Sequence, residues 1–255
     1  MELTVQLHER FDPLRVQVLS RSEQGHRDEN QDALGHLSLG SWWCAVLADG
    51  AGGHEGGGVA SGLAVSSILD SFRHCAMPCA AQLEAWVRAA NENLLREQQK
   101  RSELADMHTT LVVCLVNQRT RSAVWAHVGD SRIYHFHHER CLSRTRDHSI
   151  AQWVADHKPN NNIPARNALY TALGEPQEAL QVSISSPVLL QAGDWLLLCS
   201  DGLWEHFNDD ELGLLGHQLR GQSMYTAHLH ELALSRAKGR SDNLSSLSLF
   251  LDSSD

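Results

Sequence analysis

Four aspartates, each at the edge of an apolar run of strand-like composition, are the residues of this chain best placed to do chemistry. Asp49 closes Trp42-Trp43-Cys44-Ala45-Val46-Leu47-Ala48, and Asp130 closes Ala123-Val124-Trp125-Ala126-His127-Val128-Gly129. Asp201 closes Trp195-Leu196-Leu197-Leu198-Cys199-Ser200, and Asp242 opens the alternating tail that starts at Asn243-Leu244 and ends at Leu251. In Asp49-Gly50 and Asp201-Gly202 a carboxylate stands beside a residue without a Cβ, so a turn there lets the backbone come close to a ligand. Carboxylates brought together repel one another unless positive charge lies between them. Hard divalent cations with oxygen shells meet that need. The plainer alternative is four unrelated strand-end turns, because Asp-Gly is a common turn pair.

The elements that must carry these residues follow from periodicity. Strands are predicted at residues 3–7, 16–19, 109–116, 122–128, 133–136, 180–185 and 195–198, the first two leading into a loop that holds Arg27. Near-helical spacing of Val59, Leu63, Ile68, Leu69 and Phe72 predicts a helix over 58–72. A second is predicted over 80–104, with Leu83, Val87, Ala90 and Leu94 on one stripe, and two more over 209–219 and 224–237, the last stopped by Gly239. Strand runs alternating with helices place the chain in the α+β class. His135-Phe136-His137-His138 follows a strand and precedes Glu139-Arg140, which predicts a solvent-facing hairpin tip rather than a metal site.

Composition sets the bounds. The 255 residues suit one large domain spanning 1–255, and 42% hydrophobic with 20% charged residues can build a sizeable core. A formal net charge of −10 argues against nucleic acid or an anionic membrane surface as the main partner. No apolar run approaches bilayer length, and the charged first fifteen residues are unlike a signal peptide. Six scattered cysteines, three of them inside strand-like runs, are expected to behave as buried hydrophobes in a reducing cytoplasm.

Read together, the motifs resemble those of the metal-dependent PP2C-type (PPM) serine/threonine phosphatases, in their compact bacterial form. The likeness is carried by Gly25-His26-Arg27-Asp28-Glu29-Asn30-Gln31-Asp32, by Ala48-Asp49-Gly50-Ala51-Gly52-Gly53-His54 and by Ala60-Ser61. Thr109-Thr110-Leu111, Val128-Gly129-Asp130-Ser131-Arg132-Ile133-Tyr134 and Asp147-His148-Ser149 follow in order, then Ala172-Leu173-Gly174, Cys199-Ser200-Asp201-Gly202-Leu203-Trp204 and Ser241-Asp242-Asn243. The resemblance implies a sandwich of two antiparallel sheets flanked by helix pairs (αββα). It also implies two Mn²⁺ or Mg²⁺ ions, bridged by Asp49 and a water, with the Gly50 carbonyl on the first ion and Asp201 and Asp242 on the second. A third ion would lie between Asp130 and Asp201, and Asp32 would act through metal-bound waters with Gln31 beside it. Two cations about 3.5–4 Å apart supply hydroxide near neutral pH, which would attack phosphorus in line. Arg27 offers a planar fork suited to phosphate oxygens.

Several positions depart from the family pattern. Eukaryotic members carry a histidine directly after the Asp-Gly pair as the leaving-group acid; here that position is Ala51. A metal-bound water is then the expected proton source, with His54 a weak alternative. Gly58 replaces an acidic residue, which bears on the electrostatics of a helix start. The segment 150–166 reads as a short flap, mobile around Asn160-Asn161-Asn162, and Tyr170-Thr171 replaces a Thr-Arg pair; both bear on substrate choice and the third ion. The function implied is a cytoplasmic, monomeric phosphatase of phosphoserine and phosphothreonine proteins, opposing a bacterial Ser/Thr kinase. Two alternatives stay open: a pseudophosphatase that binds phosphoproteins without turnover, and a metal-dependent phosphatase of small phosphate esters.

Overall fold

In the computed structural model the described residues are 12–51, 53–75, 77–157 and 168–254, with 53–55 described in backbone only. The elements in chain order are β1 (Leu14–Glu23), β2 (Asp32–Leu39), β3 (Trp42–Ala51), α1 (Gly53–Arg73) and α2 (Ala80–Lys100). A 3-10 turn at Ser102–Leu104 leads to β4 (His108–Thr109), β5 (Leu111–Asn117), β6 (Ser122–Val128), β7 (Arg132–His137), β8 (Arg140–Arg144) and α3 (Ile150–His157). The remainder is β9 (Ser183–Ile184), β10 (Val188–Leu189), β11 (Asp194–Cys199), α4 (Asp201–Trp204), α5 (Asp209–Gln218), α6 (Tyr225–Ala237) and β12 (Leu244–Ser253).

Two antiparallel sheets pack face to face. One runs β1-β12-β11-β7-β8, and the other β10-β6-β5-β3-β2, with β4 added to β3 and β9 to β6. Alternation along each strand divides its residues between two apolar layers. On β3, Ala45 and Leu47 join Val112, Cys114, Ile133, Leu196, Leu198, Leu247 and Leu249 between the sheets. Cys44, Val46 and Ala48 point the other way, onto Ala64 and Ile68 of α1 and Leu83, Val87 and Leu94 of α2. The other sheet repeats this arrangement: Phe136, Trp195, Leu197 and Phe250 pack on Leu212 of α5 and Tyr225, Leu229 and Ala233 of α6. Both faces of both sheets are thus covered, which explains why the central strands read as nearly unbroken apolar runs. The order of layers is αββα, as the family resemblance implied.

Several expectations need correction. His135 is not at a solvent-facing tip: it is 5% exposed, and only His138 and Glu139 form the exposed turn of the β7–β8 hairpin. Ile133 and His135 lie on the inward face of β7, where His135 Nε2 bonds Asp194 Oδ2 at 3.0 Å and His137 Nδ1 bonds Asp194 Oδ1 at 2.8 Å. This polar plug closes the end of the sandwich remote from Asp130. The stretch 150–166 is not a loop throughout, since α3 occupies Ile150–His157; residues 158–167, with the triple asparagine, lie outside the described residues. The strand foreseen at 180–185 shrinks to the two residues of β9, and that at 3–7 also lies outside the described residues. α2 ends at Lys100, short of the foreseen 104.

Trp195 of β11 is at the centre of the apolar layer beneath α5 and α6, fully buried and stacked on Phe136 at 4.2 Å and on Phe250 at 5.6 Å between ring centroids. Its Nε1 donates to the carbonyl of His138 at 2.8 Å. Trp195→Ala should cost about 3–5 kcal/mol of stability. The measure is a lower denaturant midpoint at unchanged slope. A loss below about 1 kcal/mol would show that this stack does not hold α5 and α6 to the sheet.

Candidate active site

The aspartates converge because strand ends of both sheets meet at one edge of the sandwich. Asp49 is near the end of β3 and pairs in register with Asp32 at the start of β2. Asp130 lies in the β6–β7 connection, Asp201 opens α4 just after β11, and Asp242 precedes β12. A cavity of ≈ 550 Å³ collects Asp49, Gly50, Asp130, Asp201 and Asp242 on its wall, with Arg27 at its edge. Asp28, Glu29, Gln31 and Asn243 line it from the Arg27 loop and the start of β12, and Ala51, His108, Thr109, Thr110, Leu169 and Ala172 from the opposite side.

Backbone groups near the site are fastened by side chains. Thr110 Oγ1 accepts from Asp49 N at 3.0 Å and bonds Ser131 Oγ at 2.6 Å, while Thr109 Oγ1 donates to Asp49 O at 2.8 Å. Gly50 approaches α1 so closely that a Cβ there would sit 2.1 Å from the Gly57 carbonyl oxygen, so no larger residue fits. The Gln31 carbonyl accepts from Gly50 N at 3.2 Å and from Ser61 Oγ at 2.6 Å. The Arg27 loop is stapled by Asn243, whose Nδ2 donates to the carbonyls of Gln24 and Glu29 and whose Oδ1 accepts from Gln31 N, each at 2.8 Å. Ser241 Oγ accepts from His26 N at 3.1 Å. Within this loop Arg27 Nη2 reaches Asp242 Oδ2 at 2.5 Å, and the guanidinium stays more than half exposed.

A second chain of contacts supports Asp130. Arg132 makes paired 2.7 Å bonds to both oxygens of Asp147, and its guanidinium lies 3.4 Å from the ring centre of Trp204. Trp204 Nε1 in turn donates to the Asp130 carbonyl at 3.0 Å. The Arg132–Asp147 pair is almost buried, so removing either partner would strand an uncompensated charge. Gly129 N donates to His148 Nδ1 at 3.2 Å, leaving His148 Nε2 to donate to Ser183 Oγ at 2.8 Å. Burial and the neighbouring His127 lower the His148 pKa to about 3, so this ring is neutral and structural.

The carboxylates themselves are under electrostatic stress. Burial, then Asp32, Asp201, Asp130 and Asp242 in turn, push the pKa of Asp49 well above the usual range. Burial raises Asp32 to about 6 against bonds from Ser245 and Ser200, with Asp201 and Asp242 adding to the rise. Asp130 is pushed up to about 7 by burial, Asp201 and Asp147, and Asp201 to about 6 by burial and Asp242. Asp201 and Asp49 are close enough to share a side-chain hydrogen bond, which requires a proton between them, as the raised pKa values of both allow. Asp32 accepts from Ser200 Oγ at 2.8 Å through Oδ2, while its Oδ1 is buried with no partner. Among the described residues no three His, Cys, Asp or Glu side chains already stand at the spacing of a closed metal cage. The donor chemistry nevertheless fits hard divalent cations: the acidic oxygens are crowded, mutually repelling and in one case orphaned, with no thiolate among them.

Of the site residues expected from the sequence, Arg27, Asp49, Gly50, Asp130, Asp201 and Asp242 line one cavity, Asp32 is paired in register with Asp49, and the His54 side chain lies outside the described residues. Sequence reasoning did not single out the staple made by Asn243, the orienting Ser200, or His108 and Leu169 in the cavity wall. Asn243 was legible only as part of a motif, and nothing in the spacing of His108 marked it.

The chain belongs to the protein phosphatase 2C family, the metal-dependent serine/threonine phosphatases; the family's sequence profile matches residues 21–232. It is 32% identical over 177 residues to the Listeria monocytogenes serine/threonine phosphatase stp, covering 66% of this chain and 69% of that one. It superposes on the Mycobacterium tuberculosis phosphatase PstP/Ppp with a TM-score of 0.80 at 27% identity, over 93% of this chain and 99% of that one. A structure of the PstP catalytic domain holds two manganese ions, with a TM-score of 0.76 at 27% identity over 94% and 99% of the two chains. PppA of Pseudomonas aeruginosa matches at 30% identity with a TM-score of 0.72, over 94% of this chain and all (100%) of that one.

The raised carboxylate values carry a stability consequence for the metal-free protein. A carboxyl whose folded pKa lies above its ordinary value of 3.8 holds its proton more tightly folded than unfolded, so its cost is absent below about pH 4 and complete above the folded value of about 6. Asp32→Asn should accordingly stabilise metal-free protein at pH 8 by on the order of 2 kcal/mol, and the gain should vanish near pH 4. Comparing variant with parent cancels the opposite contribution of His148 and His230, whose depressed values favour the fold at higher pH. Denaturant titrations at several pH values with EDTA present would show it. A gain independent of pH would mean that Asp32 is not electrostatically stressed.

Proposed function

We propose that this phosphatase hydrolyses phosphoserine and phosphothreonine in protein substrates at the cavity where the strand ends meet. The observation that supports this most is the convergence of Asp49, Asp130, Asp201 and Asp242 from both sheets on one cavity beside Arg27, with Asp32 paired in register to Asp49. In this reading Asp49 and the Gly50 carbonyl would hold one Mn²⁺ or Mg²⁺, Asp49, Asp201 and Asp242 a second, and Asp130 with Asp201 a third, and Asp32 would act through water. When bound, such cations supply Lewis-acid charge and activate water near neutral pH. The chain's own residues do the rest. The Thr109 and Thr110 hydroxyls fix the Asp49 backbone, and Asn243 holds the Arg27 loop against the start of β12. Arg27, bonded through one nitrogen to Asp242 and otherwise open, turns toward the phosphate and spreads its charge over two oxygens.

The protein substrate is read as the product of a bacterial Ser/Thr kinase acting in the same cytoplasm. Two relatives support a signalling role: stp is a serine/threonine phosphatase, and PppA is described as a key regulatory component of the type VI secretion system. No helix among the described residues is long and apolar enough to cross a membrane. Small phosphate esters would use the same acidic groups, so a panel of phosphopeptides against sugar phosphates separates that alternative by kcat/KM.

Chelation with EDTA should abolish turnover of phosphopeptides, and Mn²⁺ or Mg²⁺ should restore it. Full activity after chelation would remove the cation reading. Asp201→Asn and Asp242→Asn should each lower turnover by more than about 100-fold at saturating Mn²⁺, beyond the 10–100-fold typical of groups that only orient a ligand. Near-parental turnover in either folded variant would exclude that aspartate as a catalytic ligand. Arg27→Ala should chiefly raise KM, by an amount matching a lost charge-assisted bond of about 1.5–3 kcal/mol. Unchanged kinetics and unchanged inhibition by phosphate would return Arg27 to an ordinary surface role.

A further inference from the structure

Hydrolysis of a serine or threonine phosphate ejects an alkoxide, a poor leaving group that benefits from a proton in the transition state. The cavity wall offers few donors for it. The Thr109 and Thr110 hydroxyls are committed to the Asp49 backbone and Ser131, Arg27 is too basic to give up a proton, and residue 51 is an alanine. His108 supplies the sole imidazole among the described lining residues. It sits on β4 directly across the strand pair from Ala51, two residues beyond Asp49. Opposed residues in an antiparallel pair project from the same face with Cβ atoms about 4.5–5.5 Å apart. His108 therefore rises beside the place a residue-51 side chain would occupy, and the smallness of Ala51 leaves that space to the ring.

The ring is also fixed in the tautomer an acid requires. His108 Nδ1 lies 2.9 Å from the carbonyl oxygen of Asp106, which can only accept, so Nδ1 keeps its hydrogen. The same ring packs against Gly174, where an added Cβ would stand 3.1 Å from its Cδ2. Nε2 is then the nitrogen whose proton can be exchanged.

We infer that His108 is the acid that protonates the departing seryl or threonyl oxygen, an inference that rests on the hydrolytic reading of the site. As water oxygen bonds to phosphorus, the ester P–O bond breaks with its electron pair on the leaving oxygen, which takes the Nε2 proton of the imidazolium. The neutral ring retains its Nδ1 hydrogen on Asp106, and the proton released by the attacking water returns through solvent to Nε2.

The test compares a phosphoserine peptide with p-nitrophenyl phosphate, whose leaving group needs little protonation, for the Mn²⁺-loaded parent, His108→Gln and His108→Ala. The peptide kcat/KM should fall by about 10²-fold or more, and the loss on p-nitrophenyl phosphate should be at least about ten times smaller. Equal losses on both esters by variants with parental melting temperatures, or full retention on the peptide, would overturn the assignment. If neither variant folds, the parent enzyme decides: a shallow dependence of kcat/KM on leaving-group pKa across substituted phenyl and alkyl phosphates supports a proton donor, and a steep one overturns it. Absence of Mn²⁺-dependent turnover on every ester in the parent would instead sink the hydrolytic reading, and this inference with it.

Discussion

Like charges gathered against their own repulsion are the constraint on which the rest of this structure depends. Asp32, Asp130 and Asp201 each raise the pKa of Asp49, Asp201 also raises those of Asp32 and Asp130, and Asp242 raises three of the group. A flexible chain would let them separate. Here each is carried by the end of a strand whose other residues are committed to an apolar layer, so the carboxylates cannot part without unpacking the sandwich. The core thus supplies the restraint, and the acidic edge is where that restraint is put to use.

Rigidity at that edge comes from polar contacts rather than from more apolar packing. Asn243 satisfies three backbone groups of the loop that presents Arg27, and Arg132 ties Asp147 to the face of Trp204 and, through it, to the Asp130 backbone. These side chains need not touch substrate to matter. Each replaces water on a backbone group that would otherwise be free to shift, and a catalytic arrangement tolerates displacements of well under an ångström.

Much of this was legible before any coordinates. Strand-end Asp-Gly pairs are readable because a buried strand leaves a long apolar signature and its termination is abrupt, and the helices of 58–72 and 209–219 declare themselves by spacing. β2 and β8 were not foreseen, since both carry half-exposed, polar-rich sequences with no clean alternation. His135 was misread because a histidine in a strand looks polar until Asp194, fifty-nine residues away, is found opposite it. His108 carried no local signal at all: its place in the wall depends on the pairing of β4 with the end of β3, a long-range contact that periodicity cannot express.

The position of β12 has a temporal side. It lies between the edge strand β1 and β11, and the residues just before it supply Asp242 and the Asn243 staple. In chain order β12 follows every other contributor to the site, because Arg27, Asp32, Asp49, Asp130 and Asp201 all precede it. Without it the first sheet is open between β1 and β11, Arg27 has no Asp242 to meet, and the acidic edge is incomplete. A chain made only as far as α6 therefore carries four of the acidic groups but neither the partner of Arg27 nor the staple of its loop, and docking of β12 supplies both at once.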